Sequence, residues 1–113
     1  MAHFHEVMAE LQGPYKDLGT SIPGVISSYA SLHKEAMAEG QISSKTKELI
    51  ALAIAITREC DGCIVSHARG AVRRGATEQE VAETVGVAIL MNGGPGTVWG
   101  PRALSAFREY STK

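Results

Sequence analysis

Aromatic side chains make up only 5% of this 113-residue chain, which has one tryptophan, three tyrosines and two phenylalanines. Proline is as scarce, with four residues placed mostly near segment ends. An alanine-rich chain that is 44% hydrophobic with so few aromatics reads as a helical globular protein rather than a sandwich or barrel. No two strand-like runs flank a hairpin turn, and no repeat, low-complexity tract or linker divides the chain. A single domain over residues 1–113 is expected, long enough for one core. Charge of neither sign dominates. Eleven Lys and Arg stand against twelve Asp and Glu, interspersed, for a net charge of −1. That leaves no nucleic-acid footprint. The longest apolar run, Leu49 to Ile56, is far too short to span a bilayer, so no membrane role is expected. The first residues, Met1-Ala2-His3-Phe4-His5-Glu6, carry neither a basic segment nor an apolar one, so no secretory signal is expected. Cysteine occurs only twice. Two cysteines without an export signal point to a reducing compartment, the cytoplasm. There a Cys-x-x-Cys is more often catalytic or metal-binding than a permanent staple.

What is present reads as successive helices, about six, in an all-α architecture. Residues 3 to 12 place Phe4, Val7, Met8 and Leu11 at helical spacing, with Gly13-Pro14 as the stop and Leu18 to Ile22 as a connector. Pro23 suits a first helical turn. A stripe of Val25, Ile26, Tyr29, Leu32, Ala36 and Met37 follows, and Gly40 is placed as its C-cap. Ser43-Ser44 caps a helix from Lys45 to about Thr57. Its middle, Leu49 to Ile56, is apolar on every side, and so is the later run Val85 to Met91. Such helices need cover all round, which a chain of this size gains by assembling into an oligomer. The next helix runs from about Asp61 to Arg74 and breaks at Gly75-Ala76. Thr77-Glu78-Gln79-Glu80 is a capping-box pattern that opens the helix to Met91. Asn92 to Gly96 reads as a loop, and the last helix carries Trp99, Ala103, Leu104, Phe107 and Tyr110 on one side. Gly100-Pro101 either kinks that helix or marks its start.

The chemistry gathers in Glu59-Cys60-Asp61-Gly62-Cys63-Ile64-Val65-Ser66-His67. A helical residue advances about 100°, so Cys60, Cys63 and His67 fall within roughly 60° of one another. Two cysteines at this spacing can close a disulfide, or one can attack a substrate while the other waits. The thiolate is the reactive form, and a helix start favours it at Cys60. His67 lies one turn behind Cys63 and can take its proton directly or through one water. A base used in this way needs a partner to hold its tautomer. Glu48 and Glu59 are the candidates, eleven residues apart and on one face if the helix is continuous. Glu48 interrupts an otherwise apolar surface, and a lone carboxylate there needs a reason.

Blander assignments stand beside these. The cysteines can be packing residues, or Cys60, Cys63, His67 and Glu48 can hold zinc, although one helix rarely supplies so many ligands. Glu59 reads as a solvated helix-end carboxylate and His33 as a core-edge histidine. His3 and His5 lie near a terminus that can fray and carry no chemistry. Arg58, Arg73 and Arg74 are simple last-turn charges, or they steer an anionic substrate. Trp99, Phe107 and Tyr110 read as core or subunit interface.

Glu48 followed by Cys60-x-x-Cys63-x-x-x-His67, with Lys45-Thr46-Lys47-Glu48-Leu49-Ile50-Ala51-Leu52-Ala53 before and Gly75-Ala76-Thr77-x-x-Glu80 after, resembles the AhpD-like branch of the carboxymuconolactone decarboxylase family. The resemblance covers roughly residues 25 to 95. It implies an AhpD-like helical subunit in homotrimers or homohexamers. It also implies a thiol-dependent peroxidase or disulfide reductase that needs no cofactor and no metal. By that likeness Cys63 is the attacking cysteine, Cys60 its resolving partner, and Glu48 with His67 the proton relay. The substrate would be a peroxide or a disulfide, and the reductant a lipoylated or thioredoxin-type partner. The best-known members carry a further histidine just before the second cysteine, where this chain has Gly62. The decarboxylase branch usually lacks the cysteine pair, which leaves a lyase acting on a small acid as the alternative and a metal-binding or structural oligomer as the third.

Overall fold

Helical periodicity and capping carry through to a computed structural model that describes residues 2–112 as six α-helices. These are α1 (His3–Ser21), α2 (Pro23–Ala36), α3 (Ser44–Thr57), α4 (Asp61–Arg73), α5 (Glu78–Asn92) and α6 (Gly94–Ser111). Helices α3 to α6 pack on one another around a core of small and branched side chains. Leu52, Ala55 and Ile56 of α3 meet Ile64, Val65, Ala68 and Ala71 of α4, Val81 and Ala88 of α5, and Ala103, Ala106 and Phe107 of α6. Helix α1 lies over α4 and the end of α6, and sends Phe4 into the core. Helix α2 packs against α1 alone and buries none of its residues.

The helix starts follow local chemistry. Ser43 caps α3, its hydroxyl accepting from the Thr46 N–H at 3.1 Å. Thr77 and Glu80 form a complete capping box at α5. The Glu80 carboxyl is held below the usual range by the Thr77 N–H, with Lys45 Nζ at 2.9 Å adding to the effect and tying α3 to α5. Helices α5 and α6 approach closely because Gly96 and Gly100 carry no side chain. A Cβ there would lie 2.9 Å from Ile89 Cα and 2.6 Å from Val85 Cγ1 respectively.

Several expected boundaries move. Helix α1 runs through Gly13-Pro14 to Ser21, so Leu18 to Ile22 is no connector. Pro14 removes one backbone bond on an exposed stretch, where the freed carbonyl is open to solvent. The stop after α2 is Met37, whose N–H reaches His33 O, and not Gly40. The loop at Asn92–Gly96 shrinks to Gly93, at φ +71°, and Pro95 sits in the first turn of α6, where its missing N–H costs nothing. Pro101 lies inside that helix. The histidines near the N-terminus also have partners. His3 Nε2 lies 3.3 Å from Asp61 Oδ2, and His5 pairs with Glu109 and stacks on Tyr110. Phe107 is core, with Trp99 and Tyr110 packed half-buried against it. No described helix is long and apolar enough to cross a membrane.

Candidate functional site

The site forms where α3 hands over to α4. Helix α3 ends in a C-terminal turn of six-to-one and five-to-two bonds, Cys60 N–H to Ala55 O at 3.2 Å and Glu59 N–H to Ile56 O at 3.1 Å. Glycine normally fills the left-handed position of such a turn, as Gly75 does after α4 at φ +81°. After α3 the position is Glu59, at φ +54°. Helices α3 and α4 are therefore not continuous. The turn points Glu59 to solvent, away from Glu48, and leaves Glu48 as the carboxylate of the site.

Cys60 is the N-cap of α4, with an extended backbone, so it sits just outside the helix that carries Cys63. Its Sγ accepts the Cys63 N–H at 3.1 Å. The two sulfurs are joined as a disulfide, with Cα atoms 5.2 Å apart. Both occupy the positive end of α4, where unpaired N–H groups favour a thiolate once the bond is reduced.

Along α4, Cys63, His67 and Gly70 follow at i, i+4 and i+7 on one stripe, about 100° round the helix from the core stripe of Ile64, Ala68 and Ala71. Glu48 lies on the buried stripe of α3 with Ser44 and Leu52 and is 7% exposed. Its Oε1 is 2.8 Å from His67 Nδ1. An ionised carboxylate can only accept, so Nδ1 carries the hydrogen and Nε2 keeps its lone pair free for a proton. A mouth of about 460 Å³ is lined by Cys60, Cys63 and His67 together with Ala51, Ile54, Ala55 and Arg58. On the other side of Glu48 a cavity of about 360 Å³ is lined by His33, Ser66, Arg69, Gly70, Arg73 and Arg74. The exposed His33 ring lies parallel to His67, with centroids 6.2 Å apart.

All four residues singled out in the sequence, Glu48, Cys60, Cys63 and His67, therefore come together. Two glycines of α4 meet neighbours from other helices. A Cβ on Gly62 would lie 3.2 Å from Leu11 Cδ1, so α1 packs against this position. Gly70 lies directly beneath the Glu48 carboxylate. Gly70 has no marker in the sequence, since its role is defined by a neighbour on another helix. Among the described residues, no group of three or more His, Cys, Asp and Glu side chains is arranged to hold a metal ion.

Comparison with known proteins gives a consistent picture. The model of the carboxymuconolactone decarboxylase family matches residues 23–108. The chain is similar to an uncharacterized protein of Cupriavidus necator, 34% identical over 100 residues and 88% of each chain. It is similar to another of Haemophilus influenzae, 37% identical over 102 residues and 90% of each. Among solved structures it resembles an apo carboxymuconolactone decarboxylase family protein from Legionella pneumophila, with a TM-score of 0.96 and 34% identity. That likeness covers 99% of this chain and 100% of the other.

Proposed function

As this chain belongs to the carboxymuconolactone decarboxylase family, with its six-helix AhpD-like fold, we propose that it is a thiol-dependent oxidoreductase reducing hydroperoxides or disulfides through Cys60 and Cys63. The observation that carries this reading is a bonded cysteine pair opening on the same mouth as a histidine held by a buried carboxylate. In the reduced protein His67 Nε2 takes the Cys63 proton, and Glu48 stabilises the imidazolium. The Cys63 thiolate attacks the terminal oxygen of ROOH. The O–O bond breaks, the leaving alkoxide takes the proton from His67 to depart as ROH, and Cys63 becomes a sulfenic acid. The Cys60 sulfur then attacks Cys63 Sγ. The S–S bond forms, and hydroxide leaves with the Cys60 proton as water. An external dithiol, lipoylated or thioredoxin-type, returns two electrons and two protons and is itself oxidised to a disulfide. With a disulfide substrate, Cys63 forms the mixed disulfide and Cys60 releases the second sulfur as a thiol. The cycle uses no resident cofactor.

The working form is a homotrimer or homohexamer in the reducing cytoplasm. What supports assembly is the apolar surface a single chain leaves open: Ile50 and Ile54 on α3, Val87, Leu90 and Met91 on α5, and Val25, Tyr29 and Leu32 on α2. Each is at least 47% exposed, and burying such side chains is favourable by about 1.5–3 kcal/mol each.

A lyase acting on a small acid is the second reading, favoured by one feature. The cavity behind Glu48 gathers Arg69, Arg73 and Arg74, none within ion-pair reach of a described carboxylate. A reductant screen separates the two, following peroxide and disulfide consumption with lipoylated and thioredoxin-type dithiols. Dithiol-dependent turnover lost in Cys63→Ser, and halted after one stoichiometric event in Cys60→Ser, is the expected result. Turnover undiminished in Cys63→Ser refutes the proposal.

A further inference from the structure

Gly70 lies inside α4, in ordinary helical conformation, so its glycine is not needed for the backbone. The reason lies above it. A Cβ built on Gly70 would come within 2.4 Å of Glu48 Cδ and Oε2 and 2.5 Å of Oε1. Real side chains do not approach so closely, so one of the two must move. The atoms met are the far end of a flexible side chain, and a methyl group here displaces the carboxylate rather than the helix. The displaced group also has somewhere to go. The adjoining cavity holds Arg69, Arg73 and Arg74, any of which can take a carboxylate.

We propose that Gly70 is a positioning residue: its missing side chain lets Glu48 settle against α4, where it holds His67 Nδ1. This rests on the relay reading above and adds a residue to it. A shift of about 1 Å in a positioned group can cost up to about 10²-fold in rate. Gly70 would thus decide whether the buried carboxylate of α3 serves the histidine or the arginines. Alanine is the better helix former, so the substitution separates positioning from stability.

The test follows Cys63 alkylation in the reduced protein across pH, by intact mass, in Gly70→Ala, Glu48→Ala, the double variant and Gly86→Ala. Gly86 is inside α5 with nothing within 4 Å of an added Cβ, and serves as the control. Gly70→Ala is expected to melt no lower than the parent and to alkylate about 10–10²-fold more slowly at neutral pH. The deficit closes at high pH, and Gly86→Ala alkylates like the parent. In the Glu48→Ala background the added Gly70→Ala changes the rate less than about twofold, because the group it displaces is gone. Nitrogen-15 spectra of the His67 ring should lose the Nδ1–H tautomer in Gly70→Ala. Parent-like alkylation in Gly70→Ala overturns the proposal, as does a full additional defect in the double variant. Should Gly70→Ala fail to fold, folding of the double variant supports the clash with Glu48, and its failure overturns the proposal. His67→Ala tells the two ideas apart. If it too alkylates like the parent, the relay itself falls. If only Gly70→Ala is silent, the positioning role falls alone.

Discussion

At the scale of single residues, the chemistry rests on how His67 is held. Its Nδ1 is held by Glu48 at 2.8 Å, which leaves Nε2 as the free nitrogen of a ring that lines the cysteine mouth. His67→Ala should slow Cys63 alkylation at neutral pH by about 10²–10⁴-fold, the usual cost of losing a positioned base. At high pH hydroxide removes the proton without help, and the rates should converge. Glu48→Gln keeps the shape and loses the charge. A smaller defect in the same direction is expected, adding little to His67→Ala because the two act as one unit. Glu59 gives a second expectation. A side chain in the left-handed region costs about 1–2 kcal/mol, and glycine gives back about 0.5–1 in chain entropy. Glu59→Gly should therefore raise stability by roughly 0.5–1 kcal/mol, measured by thermal or urea unfolding. Strain retained beside a reactive pair is a known feature of functional corners.

The four site residues were legible because three of them lie within about two helical turns, and the fourth is a carboxylate at the head of the apolar run Leu49–Ile56. Gly70 was not, nor was the approach of Leu11 to Gly62, because nothing local reveals which face of α1 or α3 will meet α4. Among the elements, capping chemistry marked the starts of α3 and α5 correctly. Gly13-Pro14 misled, because Pro in an exposed helix costs one bond and not the whole helix. The contacts of the N-terminal histidines were not legible either, since their partners lie far along the chain. Glu109 of α6 accepts the Phe4 N–H at 3.1 Å, the His5 N–H at 3.0 Å and His5 Nδ1 at 2.9 Å, and so caps α1. Burial pushes the Glu109 carboxyl up, but these donors outweigh it and hold it below the usual range. A lowered native value means that the contribution is complete above about pH 4.3, the ordinary carboxylate value. It is lost as pH falls through the native one. Glu109→Gln should loosen α1 by about 1–3 kcal/mol and flatten that acid dependence. Amide hydrogen exchange of residues 3–12 against the core helices measures both. Unchanged protection of α1 in the variant would mean that the packing of Phe4, Val7 and Met8 anchors it without the cap.

For the whole molecule, the all-round apolar character of Leu49–Ile56 and Val85–Met91 is only half resolved within one chain. Leu52, Ala55, Ile56 and Ala88 are core, while Ile50, Ile54, Leu90 and Met91 face outward. Helix α2, held by α1 alone, adds Val25, Tyr29 and Leu32 to the open surface. Light scattering should find a trimer or hexamer, and Leu90→Glu or Leu32→Glu should shift it to smaller species. A monodisperse particle of 12.0 kDa at micromolar concentration would contradict assembly.

The thiol cycle itself is tested most directly by intact mass spectrometry of the reduced, metal-free protein after one equivalent of an organic hydroperoxide. The expected product has lost two hydrogens, with both free thiols gone, the alcohol formed in equal amount and the original mass restored by a dithiol. Recovery of the protein with both thiols intact and the hydroperoxide unconsumed, or with a stable sulfinate on Cys63 instead of the disulfide, would contradict a Cys60–Cys63 redox pair.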